Sequence, residues 1–169
     1  MTAYILLILA VAAERLAEMV VSARHARWAF ERGGVEYGQA HFPVMVSMHA
    51  ALLAACVVEV VAADRPFLPW LGWPMLAVVL AAQTLRWWCI ATLGNQWNTR
   101  VIVVPGLPLV SAGPYRWLRH PNYLAVALEV AALPLVHTAW LTAALFTVAN
   151  AAVLSVRIRV EERALATVR

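Results

Sequence analysis

The sequence predicts an all-α integral membrane protein, built as a bundle of five transmembrane helices. Of its 169 residues, 63% are hydrophobic and only 13% are charged, about half the charged fraction of an average soluble domain. Its apolar stretches reach the roughly 20 residues that a helix needs to cross the hydrocarbon core of a bilayer. No linker, internal repeat or low-complexity tract interrupts residues 1–169, which are therefore predicted to form one domain.

The first three apolar stretches predict one membrane span each. They cover residues 2–21, 43–62 and 69–93. The first stretch has no basic start, and it carries Glu14, Arg15 and Glu18. These features are not those of a cleavable signal peptide, so the stretch is predicted to remain as a span.

The last apolar run predicts a helical hairpin. Residues 123–156 are too many for a single crossing, and Pro134, His137 and Thr138 lie near their middle. We therefore expect a short fourth helix, a tight turn at residues 136–138 and a returning fifth helix.

The arginines predict the orientation of the bundle. Cytoplasmic loops of membrane proteins carry an excess of basic residues. One side of the predicted bundle has only Arg65, whereas the other has Arg24, Arg27, Arg32, Arg100, Arg116, Arg119, Arg157, Arg159, Arg163 and Arg169. This distribution predicts a multi-pass protein of the cell (inner or plasma) membrane, with the N-terminus outside and the C-terminus in the cytoplasm. It indicates contact with membrane lipids, not with nucleic acid.

Polar residues inside the predicted spans need partners. Glu14 and Glu18 share a helix face near the depth of Arg86, which predicts an interhelical ion pair, with direct ligand contact as the alternative. His49 is expected to be a satisfied interior histidine. Cys56 and Cys89 both lie in apolar spans and predict neither a disulfide nor a metal site.

Two polar stripes allow two interpretations. They comprise Asn122 and Glu129 on the fourth span, and Asn150, Leu154, Arg157 and Glu161 on the fifth. Each stripe suits either hydrogen bonding between helices or the wall of a cavity that opens to the cytoplasm. Both interpretations stay open at this point.

Residues 119–123, Arg-His-Pro-Asn-Tyr, predict a ligand site at the start of the fourth helix. Pro121 suits the first helical position, where its missing N–H would have no partner. The free N–H groups of that first turn, with Arg119 and His120, can bind an anion. The rings of Tyr115 and Tyr123 can face a cation. Such a site suits a zwitterionic ligand.

These motifs in this order resemble the isoprenylcysteine carboxyl methyltransferase family of integral membrane methyltransferases. The resemblance rests on residues 113–115, residues 119–123, Glu129 and the Arg-x-x-x-Glu-Glu sequence at 157–162, and it spans residues 93–165. The loop at residues 28–49 looks like that of bacterial members. Some of those accompany type III polyketide synthases and O-methylate long-chain alkylpyrones or alkylresorcinols.

The resemblance implies an enzyme that uses S-adenosylmethionine to O-methylate a lipophilic acceptor, either a prenylcysteine-type carboxylate or a long-chain alkylpyrone or alkylresorcinol. Residues 1–93 would then form three spans with a cytoplasmic loop, and residues 94–169 the cofactor-binding and catalytic part. The implied cofactor residues are Tyr115, Arg119, His120, Pro121, Asn122, Tyr123, Glu129 and Glu162. A Rossmann-type site is excluded, because the sequence has no Gly-x-Gly loop after a strand.

Catalysis by such a protein would be an in-line displacement at the sulfonium methyl group. Arg157 is the residue predicted to orient the acceptor oxygen. An ionised carboxylate or acidic hydroxypyrone needs no base, whereas a resorcinol hydroxyl, with a pKa near ~10, would benefit from Glu161 or His41.

Three other functions remain compatible with the sequence. A phospholipid N-methyltransferase shares a similar cofactor motif, and membrane sterol-type reductases, which use NADPH, carry a related His-Pro-Asn-Tyr element. The third is a membrane scaffold without enzymatic activity, in which the arginines and glutamates only pair.

Overall fold

The computed structural model describes residues 1–167, and the expected all-α class is confirmed. Five helices run along the chain, α1 at Thr2–Phe30, α2 at His41–Ala62, α3 at Pro69–Leu93, α4 at Pro121–Leu135 and α5 at Trp140–Ala166. The predicted bounds of α3 match those observed. Arg169, one of the arginines that predict the orientation, lies outside the described residues.

Three of the helices, α2, α3 and α5, are long and apolar enough to cross a membrane. Helix α1 has 29 residues, but Glu14, Arg15 and Glu18 interrupt its apolar sequence. Helix α4 has 15 residues, fewer than the roughly 20 of a full span. The prediction of a membrane bundle is thus supported by three helices, while the count of five spans and their orientation stay predictions.

The predicted hairpin is present, and residues 136–139 form the turn between α4 and α5. Thr138 adopts a positive φ of 56°, and its hydroxyl donates to the carbonyl of Pro66 at 2.7 Å. The carboxylate of Glu59 accepts the backbone N–H of Thr142 at 2.7 Å. That contact satisfies a free amide at the start of α5, so α2 anchors the returning helix.

A short antiparallel sheet that the sequence did not predict joins the two loops at the opposite end of the bundle. Strand β1, Val35–Tyr37, pairs with β2, Val101–Val103, with Glu36 opposite Ile102. The sheet packs against Ala164 near the end of α5. It therefore connects the loop after α1 with the loop after α3 and with the last turns of the chain.

The apolar core occupies the part of the bundle that holds the N-terminus. It includes Tyr4 and Ile8 of α1, Leu52 of α2, Val79 of α3 and Leu133 of α4. The hydroxyl of Tyr4 donates to the carbonyl of Leu133 at 3.1 Å. Because the side chains are closely packed at this end, the open space between the helices lies toward the opposite end.

An ionic cluster, made of Glu14, Arg15, Glu18, Arg86 and Glu129, joins α1, α3 and α4. Arg86 and Glu129 are only 4% and 2% exposed, and their side chains lie 2.5 Å apart. Arg15 pairs with Glu18 at 2.9 Å, and Arg86 lies 3.5 Å from Glu18. The predicted pairing of Glu18 with Arg86 between helices is confirmed.

Candidate functional site

A cavity of about 870 Å³ runs from the ionic cluster to the loops around the sheet. Its volume lies in the upper part of the usual range for small-molecule sites, roughly 300–1,000 Å³. The α5 stripe lines it through Asn150, Leu154, Arg157 and Glu161. For this stripe, the structure therefore supports the cavity-wall interpretation.

Most of the predicted cofactor residues meet at one end of this cavity, which we call the mouth. The lining residues there are Tyr115, Arg119, His120, Asn122, Tyr123, Arg157, Glu161 and Glu162. Gly113 makes the approach possible, because its φ is 53° and a Cβ atom there would lie 2.5 Å from Oγ1 of Thr92. The loop can thus lie directly against α3, and this position of the loop brings Tyr115 to the mouth.

Three predicted site residues are not among those that line the cavity. Pro121 is buried as the first residue of α4, so it starts the helix and offers no polar group. Glu129 is held in the ionic cluster by Arg86. His41 begins α2, and it is its neighbour Phe42 that reaches the cavity wall.

The mouth carries hydrogen-bonding and charged groups of both signs. The hydroxyl of Tyr123 donates to the carboxylate of Glu161. Nδ1 of His120 lies 3.6 Å from Oε1 of Glu161, and its Nε2 lies 3.5 Å from Oε1 of Glu162. Arg119 is exposed beside them on the same wall. Such a mixture suits a ligand that has both an anionic and a cationic group.

Arg157 is a buried cation that faces this mixture. Its side chain is 5% exposed overall, and it forms no ion pair with any of residues 1–167. One guanidinium nitrogen donates to the carbonyl of Thr99 at 2.7 Å, and the group lies 5.8 Å from the ring centre of Tyr123. A buried guanidinium without a carboxylate partner is costly, so this position favours an anionic or strongly polar ligand oxygen.

Two groups at the mouth have shifted pKa values. Burial raises the pKa of the Tyr115 hydroxyl, so at neutral pH this group stays protonated and can donate a hydrogen bond. Hydrogen bonding to Glu161, and then the charge of that carboxylate, raise the pKa of His120 above its ordinary value. His120 is therefore charged over a wider pH range than a free histidine.

We expect His120 to contribute to stability in a way that falls as pH rises. The pKa of His120 is higher in the folded protein than in the unfolded chain. The stability that comes from its pairing with the two glutamates is therefore fully present below about pH 6.5, and it is lost as the pH rises through the raised pKa. Thermal unfolding in detergent should thus separate wild type from His120→Gln at about pH 6 and bring them together at alkaline pH. Glu161→Gln should shift this convergence to lower pH. A difference that does not vary with pH would contradict the assignment.

A polar node that the sequence did not reveal supports Arg157. The hydroxyl of Ser22 lies 2.7 Å from both Oδ1 of Asn98 and Oγ1 of Thr99, and it accepts the backbone N–H of Thr99 at 3.1 Å. These contacts hold the carbonyl to which Arg157 donates. Nothing local marks Ser22, because a serine near a helix end is usually solvated.

Trp97 is also brought to the cavity, where its indole N–H has no partner among residues 1–167. It is 2% exposed, and its carbonyl lies 2.8 Å from Nδ1 of His25. Trp28 and Trp97 line the cavity, whereas Trp117 is 68% exposed.

Comparisons with known proteins agree with this arrangement. The family model described as the isoprenylcysteine carboxyl methyltransferase (ICMT) family matches residues 75–167. The uncharacterized protein YpbQ of Bacillus subtilis (strain 168) is 41% identical over 161 residues, which cover 95% of each chain. An uncharacterized protein of Haemophilus influenzae is 25% identical over 154 residues, 89% of this chain and 88% of its own. The family match includes every mouth residue named above.

Proposed function

The chain belongs to the isoprenylcysteine carboxyl methyltransferase family, and from that premise we propose that it is an S-adenosylmethionine-dependent O-methyltransferase that acts on a lipophilic acceptor at the cytoplasmic face of the membrane. The observation that carries the proposal is the meeting of Arg119, Arg157, Glu161 and Glu162 around one cavity mouth. A methyltransferase of this family needs such opposite charges, because its methyl donor is a zwitterion with an additional sulfonium charge.

The groups at the mouth fit S-adenosylmethionine. Arg119 and the backbone N–H of Asn122 at the start of α4 would hold its carboxylate, because the next N–H, that of Tyr123, already donates to the carbonyl of His120. Glu162, which is exposed and whose contact within residues 1–167 is His120, would accept its ammonium or ribose hydroxyls. Tyr115 and Tyr123 would flank the adenine or the sulfonium. When bound, the cofactor supplies an activated methyl group, and the protein positions it.

Arg157 would orient the acceptor oxygen. Its guanidinium lines the cavity and is fixed by Thr99, so it can hold an anionic oxygen without a large movement. Preorganised donors of this kind stabilise charge at the reacting atoms. An acceptor that is already ionised needs no base. For a neutral hydroxyl, Glu161 is the better of the two predicted bases, because it lines the cavity and His41 does not.

The remaining cavity wall supports a lipophilic acceptor. Leu16 and Met19 of α1 line it together with Met45, Val46 and Leu53 of α2. Leu16 and Met19 are also 64% and 39% exposed, so they are accessible to a ligand. The cavity wall formed by α1 and α2 is therefore apolar, which suits a tail that remains in the lipid while its head reaches Arg157.

The orientation is part of the same proposal. With the C-terminus in the cytoplasm, the mouth faces the compartment that contains S-adenosylmethionine, and the basic loops contact the inner leaflet. In this proposal the protein lies in the cell membrane, with five spans that include α1 and α4. A C-terminal reporter that is active only outside the cytoplasm would contradict it.

Calorimetric titration of the purified protein with S-adenosylmethionine and with NADPH tests the function. We expect S-adenosylmethionine to bind, and Arg119→Ala to weaken it at least about tenfold, the effect of one lost charge-assisted hydrogen bond. Arg116→Ala is the matched control, because Arg116 is exposed on the same loop and does not line the cavity. Binding of NADPH alone would favour the reductase, and binding of neither would favour a scaffold.

Turnover should depend on the length of the acceptor tail. Burial of each added methylene contributes up to about 0.8 kcal/mol. This raises kcat/KM roughly fourfold per methylene, until partitioning of the acceptor into the membrane saturates. A labelled methyl donor and a homologous series of alkylpyrones, alkylresorcinols and prenylcysteines would measure this and rank the three heads. We expect the first two heads to be preferred. Equal methylation of an analogue without a tail would refute entry from the lipid, and methylation of a phospholipid amine would favour the N-methyltransferase.

A further inference from the structure

The inner end of the cavity is polar, although an acceptor tail alone would need only hydrocarbon there. We call this end the inner chamber. It is lined by Arg15, Glu18, His49, Arg86 and Asn150, from four different helices. Asn150 lies two turns before Arg157 on α5, or about 10 Å along the helix axis. The inner chamber is therefore separate from the mouth, where the groups that suit the cofactor are found.

Asn150 is buried and incompletely hydrogen-bonded. Asn150 is 2% exposed, and the Oδ1 atom of its side chain has no hydrogen-bond partner among residues 1–167. Buried amides in native proteins are normally paired, so an orphan amide in a cavity wall requires an explanation. A ligand group that pairs with it supplies one.

The inner chamber has two further acceptor atoms that lack a donor among residues 1–167, beside two guanidinium nitrogens, Nε of Arg15 and Nε of Arg86, that lack an acceptor there. Nδ1 of His49 lies 2.8 Å from the carbonyl of Met45, and a carbonyl only accepts. The proton of the neutral ring is therefore on Nδ1, which leaves Nε2 with a free lone pair. Oε1 of Glu18 has no hydrogen-bond partner in the described chain and only Nε of Arg86 at 3.5 Å.

The charged groups of the inner chamber are already paired within the ionic cluster. Arg15 lies 2.9 Å from Glu18, and Arg86 lies 2.5 Å from Glu129. A neutral polar group therefore suits this chamber better than an additional ion, whereas an anionic oxygen is favoured at Arg157.

We propose that the inner chamber binds a second polar group on the head of the acceptor, a hydroxyl that donates a hydrogen bond, and that Asn150 determines specificity for it. This rests on the proposed function in one respect, the placement of the methylated oxygen at Arg157. The long side chain of Arg157 and the short one of Asn150 leave the same face of α5, so together they bracket a head of about one ring. An acceptor head with a single oxygen leaves the polar side chains of the inner chamber without a partner. Sites that hydrogen-bond a substrate hydroxyl discriminate strongly against analogues that lack it.

Paired amphiphiles test the proposal without turnover. A long-chain 1,3-dihydroxybenzene and the phenol with the same alkyl chain would be titrated into wild type, Asn150→Leu and His49→Phe in one detergent. We expect wild type to bind the dihydroxy compound at least about tenfold more tightly, and both variants to bind the two compounds within about twofold. Val148→Leu is the control, because Val148 is on the same helix and 73% exposed. It should keep the wild-type preference.

Two results would overturn the proposal, equal affinity of wild type for the two amphiphiles or an unchanged preference in both variants. His49→Phe provides the answer if Asn150→Leu does not fold, because the hydrogen bond of His49 within the described chain is to Met45 of its own helix. S-adenosylmethionine titrated into the same samples separates this proposal from the proposed function. Cofactor binding without a preference refutes the inner chamber alone, and a preference without cofactor binding refutes the methyltransferase alone.

Discussion

Arg157→Ala is expected to lower kcat by about a hundredfold or more, while the affinity for S-adenosylmethionine changes little. The physical reason is that the guanidinium is buried, held by Thr99 and directed at the cavity, so it acts on the acceptor oxygen without reorganisation. Loss of one preorganised donor of this kind costs roughly 10²–10³ in rate, about 2.7–4 kcal/mol. Single-turnover methylation with a labelled donor measures the rate, and calorimetry measures the affinity.

Arg159→Ala is the matched control for this experiment. Arg159 lies two residues later on the same helix, is exposed, and bonds to the carbonyl of Ser155 on its own helix at 2.9 Å. Its removal should leave both quantities near their wild-type values. A parallel fall of rate and cofactor affinity in Arg157→Ala would instead place Arg157 in the cofactor site.

The second large effect is expected in stability, from Arg86→Met. Arg86 is 4% exposed and lies 2.5 Å from Glu129, which is 2% exposed, so the substitution leaves a buried carboxylate with a weaker set of partners. Removal of one member of a buried ion pair usually costs about 3–5 kcal/mol. Unfolding in detergent, followed by far-ultraviolet circular dichroism, measures the loss.

Two further variants make the interpretation specific. Arg86→Met combined with Glu129→Leu should recover much of the lost stability, because no charge is then left without its partner. Arg100→Ala breaks a surface pair with Glu36 at 3.5 Å and should cost at most about 1 kcal/mol. Equal losses in Arg86→Met and Arg100→Ala would show that the ionic cluster is not a main source of stability.

The sequence predicted the features that depend on neighbouring residues. Pro121 at the first helical position and the turn at Gly113 are local, so the mouth could be predicted from residues 113–123. The spacing of Asn150, Leu154, Arg157 and Glu161 predicted the α5 stripe for the same reason. The limits of α3 followed from its apolar run, whereas α1 and α5 continue beyond theirs, to Phe30 and Ala166.

Features that depend on distant residues were not predicted. The polar node that fixes Arg157 joins Ser22 to Thr99, which lie 77 positions apart. Strands β1 and β2 have three residues each, too few to show an alternation of apolar and polar residues. Glu129 shows a different limit. It lies seven residues after Asn122, on the same side of α4, but spacing within one helix does not show which neighbouring helix a residue meets. Asn122 lines the cavity, whereas Glu129 pairs with Arg86 of α3.

The ionic cluster also has a consequence for how the chain is assembled during synthesis. Ribosomes deliver helices in order, so α1 and α3 are present before α4 is made. Arg15, Glu18 and Arg86 can already pair with one another at that stage. When α4 follows, Glu129 reaches the depth of the guanidinium groups of Arg86 and Arg15. These groups lie 2.5 and 3.5 Å from Glu129 in the finished fold. The last acidic residue therefore enters with its counter-ions in place, and this favours docking of α4 in a single register.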